Sequence, residues 1–202
     1  MAQAFAILRF QNQLAEREGP DLEETYRRVI DVLARVGARW SVVGAHAVNL
    51  YVEPRATVDV DFVVDARKMK PLLQALEEEF GALETTELGA ALRVTNLSID
   101  LIRGDNHPLF RAALDEAVER AGVRVPPVEL LVVLKFLAAS SPWRDAADRK
   151  QDVADLIRLY RAAGADFDRP AALRHASLVY PRAETEFAAI LDRIDRGEDV
   201  SI

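Results

Sequence analysis

The chain has no cysteine, and that absence removes disulfides, thiolate metal sites and a cysteine nucleophile together. Histidine is scarce at three residues, so any metal must be held by oxygen or by those rings. The start, MAQAFAILRFQNQLAEREG, lacks the basic segment, apolar segment and small-residue cleavage site of a secretion signal. The longest apolar run, LLVVLKFLAA, is about half of the roughly 20 residues a membrane span needs. A cytoplasmic protein with no membrane attachment is expected. Positive charge is not in excess either: 26 Lys and Arg face 33 Asp and Glu, for a net charge of -7. That balance argues against sequence-independent coating of nucleic acid, while leaving room for a local basic groove that takes one RNA end.

What is present is globular in character, with 50% apolar and 29% charged residues over a length of 202. Such a chain suffices for one domain, or one domain plus a helical extension, burying roughly 70% of its unfolded surface. Residues 1–19 read as an N-terminal arm. Leu22, Tyr26, Val29, Ile30, Leu33 and Val36 fall at helical spacing, with Asp21 placed to cap and Gly37 to terminate. RWSVVG reads as a strand ending at a glycine and AHAVNLYV as a helix leading away. TVDVDFVV alternates, with Val58, Val60, Phe62 and Val64 on one face and Asp59, Asp61 and Val63 on the other.

PLLQALEEEFG is a further helix with a glycine stop. ALETTE and AALRVTNLSIDLIRG read as paired strands joined through Gly89, and Asp100 alternates with Leu97, Ile99 and Leu101. PLFRAALDEAVERAG reads as helix and VRV as a short edge strand. Beyond Pro126-Pro127 the segments 128–139, 145–163, 169–177 and 182–196 are all helical. The expected organisation is an α/β core over 20–125, a small mixed sheet flanked by helices, followed by a helical C-terminal part over 126–202.

Two carboxylates two residues apart on a strand, Asp59 and Asp61, project from one face close enough to share a cation. Left unpaired they would repel and one would resist ionisation; a hard divalent ion such as Mg²⁺ takes oxygen ligands and removes the conflict. A bare DxD is otherwise the solvated face of a half-exposed strand. Three features favour the chemical reading. Gly44, between a strand and a helix, lets backbone approach a ligand closely. Arg55 and Thr57 supply an anion-binding fork and a hydroxyl just ahead of the aspartates. Asp100 offers a third carboxylate, the arrangement expected of metal-assisted phosphoryl transfer.

The pattern VVGAHAV, EPRATVDVDFVV and SIDLI resembles the nucleotidyltransferase superfamily of the DNA polymerase β type, and more narrowly the AbiEii-like abortive-infection toxins, over about residues 25–160. The resemblance implies a palm that binds a nucleoside triphosphate with Mg²⁺ or Mn²⁺, transfers the nucleoside monophosphate to an acceptor hydroxyl and releases pyrophosphate. It implies Gly44 and Ala45 at the phosphates, and Asp59, Asp61 and Asp100 as metal-binding catalytic carboxylates. A tRNA end or a protein is the implied acceptor, and a cognate antitoxin the implied partner. One departure stands out: Ala45 occupies a position where the family has a glycine or serine, so a hydroxyl is missing.

Lys135 interrupts an apolar helix, and a buried ammonium needs a partner; a nucleotide phosphate would suit, and the resemblance places a phosphate-binding lysine there. In RDAADRKQDVADLIRLY, Val153, Leu156, Ile157 and Tyr160 form the apolar stripe, Arg149 falls on it and Asp152 borders it, resembling the family's RxxD helix. Lys135, Arg149 and Asp152 therefore join Arg55 and Thr57 as nucleotide-binding candidates. The alternative from a different class is a catalytically silent module of this fold that binds a nucleotide or a protein. A glycosyltransferase, which also grips metal with a DxD, is opposed by the short chain and the third aspartate.

Overall fold

A computed structural model describes residues 22–57 and 59–202 of the protein. The expected arm over 1–19, the Asp21 cap and the facing of Val58 lie outside the described residues. The chain divides at Val125/Pro126 into two compact units.

The first unit opens with α1 (Leu22–Arg35), which ends before Gly37 at φ +63°. There follow β1 (Trp40–Val43), the short α2 (Gly44–Val48), β2 (Val60–Val64), α3 (Met69–Phe80), β3 (Thr85–Leu88), β4 (Ala91–Val94), β5 (Ile99–Arg103) and α4 (Pro108–Asp115). The five strands form one mixed sheet in the order β1-β2-β5-β4-β3. β2 and β5 run parallel, and the other neighbours pair antiparallel. Being central, β2 and β5 are covered on both faces, which explains why Phe62, Val63, Val64 and Leu101 are all fully buried.

Four sequence expectations are corrected. The strand carrying the paired aspartates starts at Val60, so Asp61 lies within it and Asp59 lies just ahead. The helix after Gly44 stops at Val48 because Asn49 turns its amide onto the next loop. The long strand proposed through Asp100 is broken by a 3-10 turn over Thr95–Leu97, with Ser98 left-handed at φ +52°. The helix expected to reach residue 122 ends at Asp115, and β6 (Val118–Arg120) pairs with β7 (Val123–Val125). The two residues joining them, Ala121 and Gly122, both have positive φ, at +52° and +85°, the geometry of a two-residue hairpin turn. Alanine is an uncommon occupant of that position, which is why the turn left no sequence signal.

The second unit is helical: α5 (Val128–Ala139), α6 (Ala146–Ala163), α7 (Arg169–Ala176) and α8 (Ala183–Asp195). α5 is buried almost all round from Leu130 to Phe136, and Phe136 packs on Phe187 of α8 with ring centroids 5.2 Å apart. Asp145 and Asp168 cap α6 and α7 by accepting from Ala147 N and Ala171 N. Among the described residues no helix is long and apolar enough to cross a membrane.

One buried polar group in the sheet unit carries a pH signature. His46 of α2 is buried beside Tyr26, ring centroids 6.3 Å apart, and Tyr26 stacks in turn on Phe62. Burial pushes the His46 imidazole down to about 4, with the Arg55 charge adding to the effect. Between that value and the unfolded value near 6.5, the unfolded chain binds a proton that the folded chain refuses. The contribution of His46 is thus complete above about pH 6.5 and lost on acidification toward pH 4, on the order of 3 kcal/mol. Urea titrations across that window should show the decline, and His46→Gln should flatten it.

Candidate active site

The register of the sheet assembles the site. Asp61 of β2 lies directly opposite Asp100 of β5, Asp100 directly opposite Arg93 of β4, and Val43, the last residue of β1, opposite Asp61. Residues in direct register share a face, so Asp61, Asp100 and Arg93 form one row across three strands. Arg93 donates a bidentate pair of hydrogen bonds to Asp100, both 2.8 Å, and the same Nη2 stands 2.9 Å from Asp59 Oδ2. One guanidinium nitrogen therefore touches both carboxylates. The hydrogen bonds to Asp100 hold Arg93 above the usual guanidinium range against the opposing effect of burial, and the charges of Asp100, Asp59 and Asp61 add to this.

Gly44 completes the row. Its φ is +63°, and a Cβ built there would fall 1.9 Å from Asp61 Oδ2 and 2.7 Å from its Cγ. Glycine is required twice over, by the left-handed backbone and by the carboxylate pressed against it. The adjoining loop is stapled by buried Asn49, which donates to Arg55 O at 2.8 Å and accepts from Arg55 N at 3.0 Å. That staple sets the path of the chain through Arg55 and Thr57 toward Asp59. The Thr57 hydroxyl donates to Asp59 O at 3.4 Å, and Arg55 Nη1 donates to Ala56 O at 3.2 Å. Ala45, next to Gly44, is buried.

The structure thus brings Asp59 and Asp100 onto one cationic nitrogen, with Asp61 beside Asp100 in register and against Gly44. Neither Arg93 nor Asn49 was singled out by the sequence. Arg93 had a faint signal, a charged residue between Leu92 and Val94 in an alternating strand, but its target depended on a register that spacing alone does not supply. Three carboxylates against one guanidinium leave the cluster two charges negative. All donors are hard oxygens, and a cationic nitrogen already bridges two of them. The residues fit a divalent ion such as Mg²⁺ or Mn²⁺. Among the described residues no group of three acidic or histidine side chains is gathered as a ready ligand set.

In the helical unit, Lys135 Nζ lies 2.9 Å from both Asp152 Oδ1 and Asp155 Oδ2, and all three side chains are buried. Arg144 Nε approaches Asp152 Oδ2 to 2.6 Å, an ion contact whose angles do not make a directed hydrogen bond. The buried ammonium thus has protein carboxylates for partners. The inward stripe of α6 is corrected accordingly: Asp152, Asp155, Leu156 and Leu159 are buried, while Val153, Ile157 and Tyr160 are half-buried. Arg149 is half-buried on that side, with its Nε enclosed and lacking a hydrogen-bond partner. Trp143, in the loop before α6, is 94% exposed and so does not close a core.

A mixed sheet that aligns carboxylates of two parallel strands beside a glycine turn, followed by a helical unit, defines a nucleotidyltransferase palm. The chain belongs to the AbiEii nucleotidyl transferase toxin family, described as a type IV toxin–antitoxin system, whose family model matches residues 31–199. No curated protein sequence matches it. Among solved structures it is similar to the antibiotic-resistance factor ANT(2'')-Ia, at 15% identity and TM-score 0.48, over 75% of this chain and 94% of that one. A nucleotidyltransferase-like antigen of Paracoccidioides brasiliensis shows 16% identity and TM-score 0.48, over 83% and 91%. Terminal uridylyl transferase 4 of Trypanosoma brucei, solved with bound CTP, shows 17% identity and TM-score 0.39, over 94% and 69%.

Two substitutions test these contacts. Gly44→Ala should lower stability by about 1–2 kcal/mol for the left-handed backbone alone, with a further loss as the Asp61 carboxylate is displaced; urea unfolding of the purified variant measures it. Lys135→Met should destabilise the chain by about 3–5 kcal/mol, because it leaves two carboxylates buried against a neutral side chain. That loss should be seen with no nucleotide present, which a lysine serving only as a phosphate ligand would not produce.

Proposed function

We propose that this nucleotidyltransferase depends on Mg²⁺ or Mn²⁺ and moves a nucleoside monophosphate from a triphosphate to a hydroxyl on an RNA or tRNA end or on a protein. The observation that carries the proposal is the register pair of Asp61 and Asp100 beside the Gly44 turn, with Asp59 and Asp100 bridged by one cationic nitrogen. A divalent ion bound there would offset the triphosphate charge and favour in-line displacement at the α-phosphorus. The acceptor oxygen forms a bond to that phosphorus as the bond to the α–β bridging oxygen breaks. Pyrophosphate leaves with the electron pair, and the acceptor proton passes to a carboxylate of the row.

Asp59, Asp61 and Asp100 would be the ion's ligands. Backbone N–H groups at Gly44 and Ala45, with Arg55 and Thr57, would orient the phosphates. In the helical unit Arg149 retains hydrogen-bonding capacity for an anion at its enclosed Nε, whereas Lys135 and Asp152 are occupied with one another and act by holding α5 to α6. The family's description supports a toxin role with a cognate antitoxin as partner, and we place the pair in the cytoplasm. A catalytically silent module is the second reading, favoured by one observation: Ala45 supplies no hydroxyl beside the glycine turn.

Incubation with each α-labelled triphosphate, Mg²⁺ and pooled cellular RNA and protein should transfer label to one pool and release pyrophosphate. Asp59→Ala should lower that transfer at least about 100-fold, beyond the range typical of residues that merely support a metal ligand, without loss of the folded state. Transfer that persists in Asp59→Ala removes the ligand role, and nucleotide binding without pyrophosphate release establishes the silent module.

A further inference from the structure

We propose that Arg93 is an internal counterion that holds the divalent ion's place between Asp59 and Asp100, and that its guanidinium must leave before an ion can load. This rests on the reading above that the carboxylates take such an ion. A single nitrogen, Nη2, is 2.8 Å from Asp100 Oδ2 and 2.9 Å from Asp59 Oδ2, so the space between the two oxygens is already held by positive charge. Mg²⁺ binds oxygen at about 2.0–2.1 Å, shorter than either contact. An ion in that gap would draw the carboxylates inward across space the guanidinium now fills. Two cations cannot share it, since their repulsion would act at close range in a partly desolvated setting.

The contact is also built to open. The Arg93 side chain is 37% exposed, against 10% for Asp100, so the arginine has a solvent-facing route out while the carboxylate does not. β4 carries Arg93 at a position opposite Asp100, and its partner on the other neighbour β3 is the small, exposed Thr86. The charges say the same: with Arg93 in place the carboxylates sit at ordinary hydrogen-bonding separations, and without it three like charges would face one another. Arg93 therefore keeps the ion-free palm folded and sets the concentration of ion needed to displace it. It is a positioning residue that acts through the three aspartates.

The test is Mn²⁺ binding by the full chain without nucleotide, followed by the loss of the free-ion electron paramagnetic resonance signal. Arg93→Ala and Arg93→Gln should bind Mn²⁺ at least about tenfold more tightly than the unaltered chain, a change of about 1.4 kcal/mol. Arg93→Lys, with one charge but no fork, should fall between. Adding Asp61→Asn to Arg93→Ala should abolish the gain, assigning the ion to this cluster. Melting supplies the independent readout: Arg93→Ala should melt below the unaltered chain without ion and be raised more by Mn²⁺. Equal affinities across the series, weaker binding by Arg93→Ala, or an Arg93→Ala chain unfolded at every Mn²⁺ concentration would overturn the proposal. Failure of the enzymatic reading looks different: the unaltered chain would transfer no nucleotide while the Arg93 series still showed its gain in affinity.

Discussion

The palm depends on one electrostatic constraint, the parallel register that sets Asp61 directly against Asp100 on two neighbouring inner strands of the sheet. Like charges opposed across a strand pair destabilise it, and partial burial weakens the screening that would make the pairing tolerable at a surface. The surrounding structure supplies the remedy. Arg93 arrives from the next strand along the same row, and Gly44 gives up a side chain so that the Asp61 carboxylate has somewhere to lie. The left-handed Ser98, whose carbonyl accepts from Val60 N at 3.0 Å, fixes where the two strands begin to pair. Slide that register by one residue and Asp100 no longer shares a face with Asp61.

The helical unit meets a similar excess of acid by a different means. Lys135, Asp152 and Asp155 are nearly inaccessible, at 7%, 2% and 0% exposure, so their ion pairs are closed to exchange. Breaking one would strand a charge in the interior, which makes the cluster a permanent fastener of α5 to α6. The Arg93 cluster has the same kind of partners but an open side. A charge pair that solvent can reach is replaceable by another cation; one that it cannot reach is structural. Exposure, more than residue type, separates the Arg93 cluster from the Lys135 core ion pairs in this chain.

The same distinction explains what was legible in the sequence. The apolar alternation beside Asp61 and Asp100 is a local property of each strand, and the glycine after β1 is a local signal, so those positions could be read from spacing, while Asp59 lies just ahead of its strand. The helices of the second unit were legible for the same reason, their limits falling within a residue or two of 128–139, 145–163, 169–177 and 182–196. Arg93 was not, because its meaning depends on how β4 pairs with β5 after a 3-10 turn that no apolar pattern announces. The stripe of α6 was misplaced because a wheel drawn on apolar residues treats carboxylates as outward-facing. Once Lys135 and Arg144 offset the charges of Asp152 and Asp155, they become core residues, and the true inward face is rotated toward them. The Ala121-Gly122 hairpin was missed where the chain uses an alanine for a conformation that asparagine or aspartate would have signalled.

Gly44 and Ala45 divide the work of the turn in a way the sequence left ambiguous. A glycine at that place is usually credited to a ligand's need for close backbone approach. Here the demand comes first from within, since the Cβ it lacks would occupy the Asp61 carboxylate itself. The glycine and the aspartate are one device, in place before any triphosphate arrives. Ala45 lies outside that device: its methyl is buried, and the missing hydroxyl removes one prospective donor to phosphate without altering where the carboxylates stand. The departure from the family pattern therefore leaves the arrangement of Gly44 and the carboxylates whole.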